Sequence, residues 1–471
     1  MEPLEIVLIL LSAVAASGAS ARMLPLPVPV PPVQVALGVL ISAVAHLGVR
    51  LDPQLFFVLF LPPLLFLDGW RLPKAGLLRD KGAILALAIG LVVITVLGLG
   101  LFIHWMIPAM PLAVAFALAA VISPTDPVAV KAIAARAPVP ERLMRILEGE
   151  ALLNDASGLV CMRFAVAAAL TGTFSLVEAV DSFVRVSAGG LAIGIVVTAA
   201  IVQAKNWVSA RYGEDIGAQI LVSLLIPFGA YLLADRAGCS GILAAVAAGV
   251  TMGHVEPRGR ALAETNLRRA AVWDTIHFGA SGVIFILLGE QIPRIAGGAV
   301  DAVREAGHGQ VAWLLFYVAA VTLGVLAMRF AWVWMMVCVA LRRTSPRSTP
   351  SRMPDWRLVA ALTIAGVRGT VTLAGVLSLP FMLSDGRAFP SRDLAVFLAA
   401  GVIIMSLVAA TVLLPALLRH LRLPPEAGEE TAEDFARVAA GEAALTALAR
   451  TSGGFADQLA EASPGAEARH A

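Results

Sequence analysis

A chain of 471 residues that is 59% hydrophobic and only 14% charged is too apolar for a soluble domain, in which charge averages about 25%. Its mean hydropathy of +0.85 marks a polytopic membrane protein. The net charge of +2 gives no reason to expect a nucleic-acid partner, and three scattered cysteines (Cys161, Cys239 and Cys338) suggest neither a disulfide framework nor a metal cluster.

A spanning helix needs about 20 mostly apolar residues. That rule predicts thirteen spans, at 4–20, 33–49, 54–69, 82–105, 111–134, 143–170, 183–204, 216–234, 240–254, 274–292, 311–341, 358–381 and 393–418. The first follows an acidic start without a basic segment, so it reads as a retained span and not as a cleaved signal peptide. With the N-terminus outside, the loops assigned to the cytosol carry 22 basic residues and the opposite loops six. That asymmetry obeys the positive-inside rule and places the N-terminus out and the C-terminus in. Beyond Arg422 the chain turns rich in Pro, Ala and Glu, so 423–471 reads as a short, solvated cytosolic tail with one helix near 430–449.

Span five reads LAVAFALAAVISPTDPVAVKAIAA, with Pro124 and Pro127 bracketing Thr125 and Asp126 halfway across. Each proline removes a backbone donor and clashes with the preceding turn, so the helix should unwind around the carboxylate. Span twelve reads LVAALTIAGVRGTVTLAGVLSLPF, and Gly366 and Gly369 flank Arg368 at its middle. With span seven as a linker, each interrupted span is the fifth of six. Paired broken helices in matching places point to inverted repeats around a midplane binding site. Asp126 can offset the positive N-terminal ends of such half-helices, and Arg368 the negative C-terminal ends.

Span six contains EGEALLND, residues 148–155, a dense run of carboxylates in an apolar segment. Asp155 should lie about 18 Å in, near the bilayer centre. Glu148 and Asp155 share a helix face, with Glu148 on the cytosolic side, whereas Glu150 and Asn154 form a neighbouring stripe. Span eleven, VLAMRFAWVW at its centre, offers one charge, Arg329, and a buried Glu150–Arg329 pair would neutralise both. Asp155 is then left without an evident structural partner and becomes the candidate for binding something positive. Arg163, two turns further on, reads as a side chain reaching for the outer surface. The seven histidines, His254 and His277 among them, are scattered and read as solvated or satisfied.

SPTDPVAV in span five, EALLND in span six, the lone arginine of span eleven and GVRGTVTLAG in span twelve together resemble the NhaP/NHE-type monovalent cation/proton antiporters. The resemblance covers the thirteen spans and excludes the tail. It implies a membrane antiporter domain over 1–422, built as an all-α homodimer in the inner or plasma membrane. Each protomer would have a dimerisation part (about 1–70 and 183–292) and a core (about 82–170 and 311–420) containing the two crossed broken helices and moving like an elevator. It implies Asp155 as the carboxylate that takes Na+ or H+, with Asn154, Asp126 and Thr125 around it. Glu150–Arg329 would be the core ion pair and Arg368 the crossover charge. The Asn-Asp pair implies electroneutral exchange of one Na+ for one H+. Two positions depart from the family: Ala151 stands where some relatives carry a hydroxyl, and Asp68 lies one residue later than the equivalent acid. Glu148 and Asp68 are candidates for the cytosolic approach to the site.

Na+/H+ antiport is therefore the expected activity, with no cofactor and no enzymatic step. Ligand types alone do not separate Na+ from K+ or Li+, so K+/H+ antiport is the alternative. A sodium-coupled organic anion symporter would need a polar substrate pocket, for which only Arg368 and Arg163 offer charge. An intramembrane protease using Asp126 and Asp155 as a dyad would leave the proline-bracketed break and the ion pair without a role.

Overall fold

The apolar windows become a bundle of helices in the computed structural model, which describes residues 3–23, 29–45, 53–71, 81–126, 141–171, 176–255, 263–305, 312–344, 356–383 and 386–419. The expected tail, with its helix near 430–449, lies outside the described residues. Among the described residues there is no strand, only an isolated bridge between Met382 and Ala388.

In chain order the helices are α1 (Pro3–Met23), α2 (Val30–Ala45), α3 (Pro53–Arg71), α4 (81–106), α5 (Leu112–Ile122), α6 (Glu141–Thr171) and α7 (Leu176–Tyr212). There follow α8 (Ile216–Arg236), α9 (Gly241–Val255), α10 (Ala263–Glu305), α11 (Ala312–Thr344), α12 (Trp356–Ile364), α13 (Thr370–Leu377) and α14 (Arg392–Arg419). Among the described residues eight helices are long and apolar enough to cross a membrane, and three shorter apolar helices accompany them, Val30–Val44, Leu112–Ile122 and Gly241–Val255. Hydropathy locates these helices better than it finds their ends. The window at 274–292 sits inside α10, which runs for 43 residues. Its polar first turns are helical too, supported by the exposed Glu264–Arg268 pair one turn apart at 2.6 Å.

The interior is built around the interrupted helices. α5 is apolar on every side and buries eight of its eleven residues, while all eight residues of α13 are buried. A helix apolar all round belongs inside a bundle. α5 packs on α4 and α6, and α13 on α14, α3 and α5. Outward faces remain apolar: Leu97, Leu101 and Leu323 are more than half exposed, which suits contact with lipid chains.

Lipid gives no hydrophobic drive between helices, so close backbone approach has to hold them. α2 and α10 meet at Gly38 and Gly289, where a Cβ on either would come within 2.9 Å of the other's Cα. Gly289→Val should therefore push the two backbones apart and cost about 1–3 kcal/mol of stability. Gly229→Ala, whose Cβ meets nothing within 4 Å, should leave the melting temperature in detergent unchanged or slightly higher. Equal melting temperatures for the two variants would contradict this packing.

Candidate functional site

α5 stops at Ile122, although the Ser123 amide still donates to the Ala119 carbonyl at 2.9 Å. Pro124 has no amide to continue the ladder, and Thr125 and Asp126 leave the helical path. Residues 127–140, which include the remainder of the expected span five (127–134), lie outside the described residues. The other interruption runs from Ala365 to Gly369, between α12 and α13.

The two interruptions bond to each other. The Asp126 amide donates to the Val367 carbonyl at 2.7 Å, and the Asp126 carboxylate accepts from the Thr370 amide at 3.3 Å. The carboxylate thus sits at the N-terminal end of α13, where free amides favour negative charge. A Cβ at Gly369 would collide with that carboxylate, so the approach requires glycine. Arg368, 2% exposed, donates from its amide to Ser406 Oγ of α14 at 3.1 Å and from its guanidinium to the Gly366 carbonyl. Its charge lies against a carbonyl freed by the break. A cavity of about 180 Å³ reaches Asp126, Arg368 and Thr370 from α2 and α10, where Gln34, His277 and Ser281 line it.

Beside the first break, Glu150 of α6 and Arg329 of α11 form a bidentate pair, with Nη2 to Oε2 at 2.8 Å and Nη1 on Oε1. Both side chains are essentially shut off from solvent, at 0% and 1% exposure. Arg329 Nε also donates to the Leu362 carbonyl of α12 at 3.2 Å, and the guanidinium packs where a Cβ on Gly366 would stand. The Thr125 hydroxyl donates to Glu150 Oε1 at 3.3 Å and accepts from Asn154 Nδ2 at 2.8 Å. Asn154 Nδ2 lies 3.5 Å from the same Glu150 oxygen. Asn154 Oδ1 is buried and has no hydrogen-bond partner among the described residues.

Asp155 is 5% exposed and, among the described residues, accepts no hydrogen bond and meets no cationic side chain. Three further carboxylates, Asp68, Asp126 and Glu150, bear on it electrostatically. Asp68 of α3 and Glu148, seven residues before Asp155 on α6, are half-buried. Among the described residues no three His, Cys, Asp or Glu side chains converge as a metal cluster. Arg163 does not simply reach for the surface, because it donates to the Tyr231 hydroxyl at 3.3 Å beside a cavity of about 390 Å³ that Asp235 and Ser378 also line.

Two partners escaped the sequence reading. Ser406 is a lone hydroxyl in the apolar run VIIMSLVAA, and its isolation was the available signal. The Leu362 carbonyl carries no side-chain signal at all.

A family model described as sodium/hydrogen exchanger, transmembrane, matches residues 7–420. This chain belongs to the sodium/hydrogen exchanger family. It is 44% identical over 387 residues to a protein of Bacillus pumilus named "Sodium, potassium, lithium and rubidium/H(+) antiporter", covering 82% of this chain and 57% of that relative. It is 41% identical over 421 residues to a protein of Escherichia coli named "Uncharacterized Na(+)/H(+) exchanger YjcE", covering 88% of this chain and 76% of that relative. The fold matches the sodium proton antiporter MjNhaP1 of Methanocaldococcus jannaschii with a TM-score of 0.63 at 16% identity, over 89% of this chain and 99% of that one. The chain thus spans little more than half the length of its Bacillus relative.

Removing one partner of a buried pair strands the other charge, at a cost of about 3–5 kcal/mol. Glu150→Ala should lower the detergent melting temperature more than Asp155→Asn does, and adding Arg329→Ala should recover part of the loss. If the double variant shows simply the sum of the single losses, the two side chains are not coupled.

Proposed function

We propose that this chain is a secondary antiporter that exchanges Na+ for H+ at Asp155. The observation that carries the reading is the burial of Asp155 without a hydrogen bond or a cation among the described residues, in a bundle whose other central charges are answered by protein groups. A carboxylate there cannot stay both charged and unpaired in hydrocarbon, so it takes either a proton or a metal cation. Competition for one negative site makes the exchange obligatory, because either occupant neutralises the site and neither fits alongside the other. Asn154 cannot carry a second charge, which favours one cation for one proton and electroneutral exchange.

Around that site the reading places thirteen spans, N-terminus out and C-terminus in, with the interrupted spans five and twelve crossing at the bilayer centre. Thr125, Asn154 and Asp126 surround the ion. Glu148 and Asp68 lie on its cytosolic approach. Residues 82–170 and 311–420 form the core that carries the ion as an elevator, against a dimerisation part at 1–70 and 183–292. The Bacillus pumilus relative is named an antiporter, which agrees with a transporter and not an enzyme. K+/H+ exchange is the second reading, favoured by the breadth of cations in the name of the Bacillus pumilus relative.

The test is transport by purified protein in liposomes with no organic solute present. A Na+ gradient should drive proton movement, and replacing Na+ by K+ decides between the two readings. Asp155→Asn should abolish exchange with either ion while the melting temperature stays near that of the parent. A well-folded Asp155→Asn protein that still exchanges would overturn the site assignment.

A further inference from the structure

α4 carries no residue of the exchange site, yet its backbone departs from a regular α-helix. Residues Ala86–Leu91, ALAIGL, form a π segment between α-helical stretches. A π turn widens the helix by a residue and opens its backbone carbonyls to donors on neighbouring helices. Two carbonyls of this segment accept from other helices. Ala88 O accepts from Ser157 Oγ of α6 at 2.7 Å, and Ala86 O accepts from Trp332 Nε1 of α11 at 3.1 Å. The Ser157 hydroxyl has one proton, and the Ala88 carbonyl is its nearest acceptor, ahead of Leu153 O of its own helix at 2.9 Å.

These two helices are the ones that Glu150 and Arg329 join. α4, α6 and α11 are therefore tied in pairs on all three sides, by Ser157, by Trp332 and by the ion pair. The helices approach closely at these ties: a Cβ on Gly90 would strike the Trp332 ring, and one on Gly149 would lie 2.8 Å from Ile84 Cδ1. Position on the helix gives the arrangement its consequence. Ser157 is two residues beyond Asp155, about 200° around α6, so it pins the back of the helix whose other side bears Asp155. Trp332 stands three residues beyond Arg329, on an adjoining face of α11.

We propose that the π segment of α4 is a positioning device for the exchange site, in which Ser157 and Trp332 fix the rotation of α6 and α11 and thereby set the affinity of Asp155 for its cation. The inference rests on Asp155 being the exchange carboxylate. Neither Ser157 nor Trp332 touches the ion. They act through the setting of α6.

The experiment is Na+-driven exchange in proteoliposomes by Ser157→Ala, Ser157→Thr and Trp332→Phe, measured for KM, kcat and the pH midpoint of the rate, alongside melting temperatures. Ser157→Ala and Trp332→Phe should each raise KM by about fivefold, the equivalent of one lost hydrogen bond, and shift the pH midpoint with kcat little changed. Ser157→Thr keeps the donor and should restore both values toward those of the parent. The double variant Ser157→Ala/Trp332→Phe should show less than the product of the single effects, since both release the same segment. Ser157→Ala deletes a single oxygen and carries the test if Trp332→Phe folds poorly. Unchanged KM and pH midpoint, even with a lower melting temperature or turnover, would make the segment ordinary packing and overturn the inference. Exchange surviving in Asp155→Asn would instead defeat the site reading on which it rests.

Discussion

Glu150 and Arg329 are buried together in a bundle that offers neither of them water. Each takes two hydrogen bonds from or to the other, and what remains of their bonding capacity organises the neighbours. Glu150 holds Thr125 at the end of α5, Thr125 holds Asn154, and Arg329 holds the last turn of α12 through Leu362. A single neutral pair thus links the first break, α6, α11 and the approach to the second break. Replacing such a pair by apolar residues is often harmless, whereas removing half of it is costly. The pair is therefore best understood as fixing positions, with stability as a condition of its presence.

The two interruptions follow the same logic in backbone form. Unwound chain at membrane depth is tolerated only where protein or a cavity satisfies its polar groups. Here the Asp126 amide and the Val367 carbonyl satisfy one another, the Asp126 carboxylate takes the first amide of α13, and Arg368 takes a carbonyl freed at Gly366. Once these demands are met, Asp155 is the central carboxylate left over. Function in this reading is what remains after structural bonding has been completed.

Much of this was legible in the sequence because prolines, glycines and isolated charges are conspicuous in apolar runs. Pro124 marks the end of α5, and Gly366 and Gly369 bound the second interruption, since only glycine clears Arg329 and Asp126 there. Glu150 and Arg329 could be matched because each was a lone charge on its stripe. Other features left no such mark. The π segment lies in ALAIGL, which reads as ordinary helix, and its partners are a serine and a tryptophan found only by packing. The reach of α10 past its apolar window depends on polar helix formers that hydropathy ignores. Arg163 reaches the Tyr231 hydroxyl of α8, a partner that no periodicity could report.

The central claim is that one carboxylate, Asp155, holds either a proton or a cation. It is tested most directly by counting protons released when Na+ is added to the purified protein in weakly buffered detergent, below the midpoint of its transport pH profile. The account predicts about one proton released for each cation bound, and none from Asp155→Asn. Cation binding without proton release, or release that persists in Asp155→Asn, would contradict it.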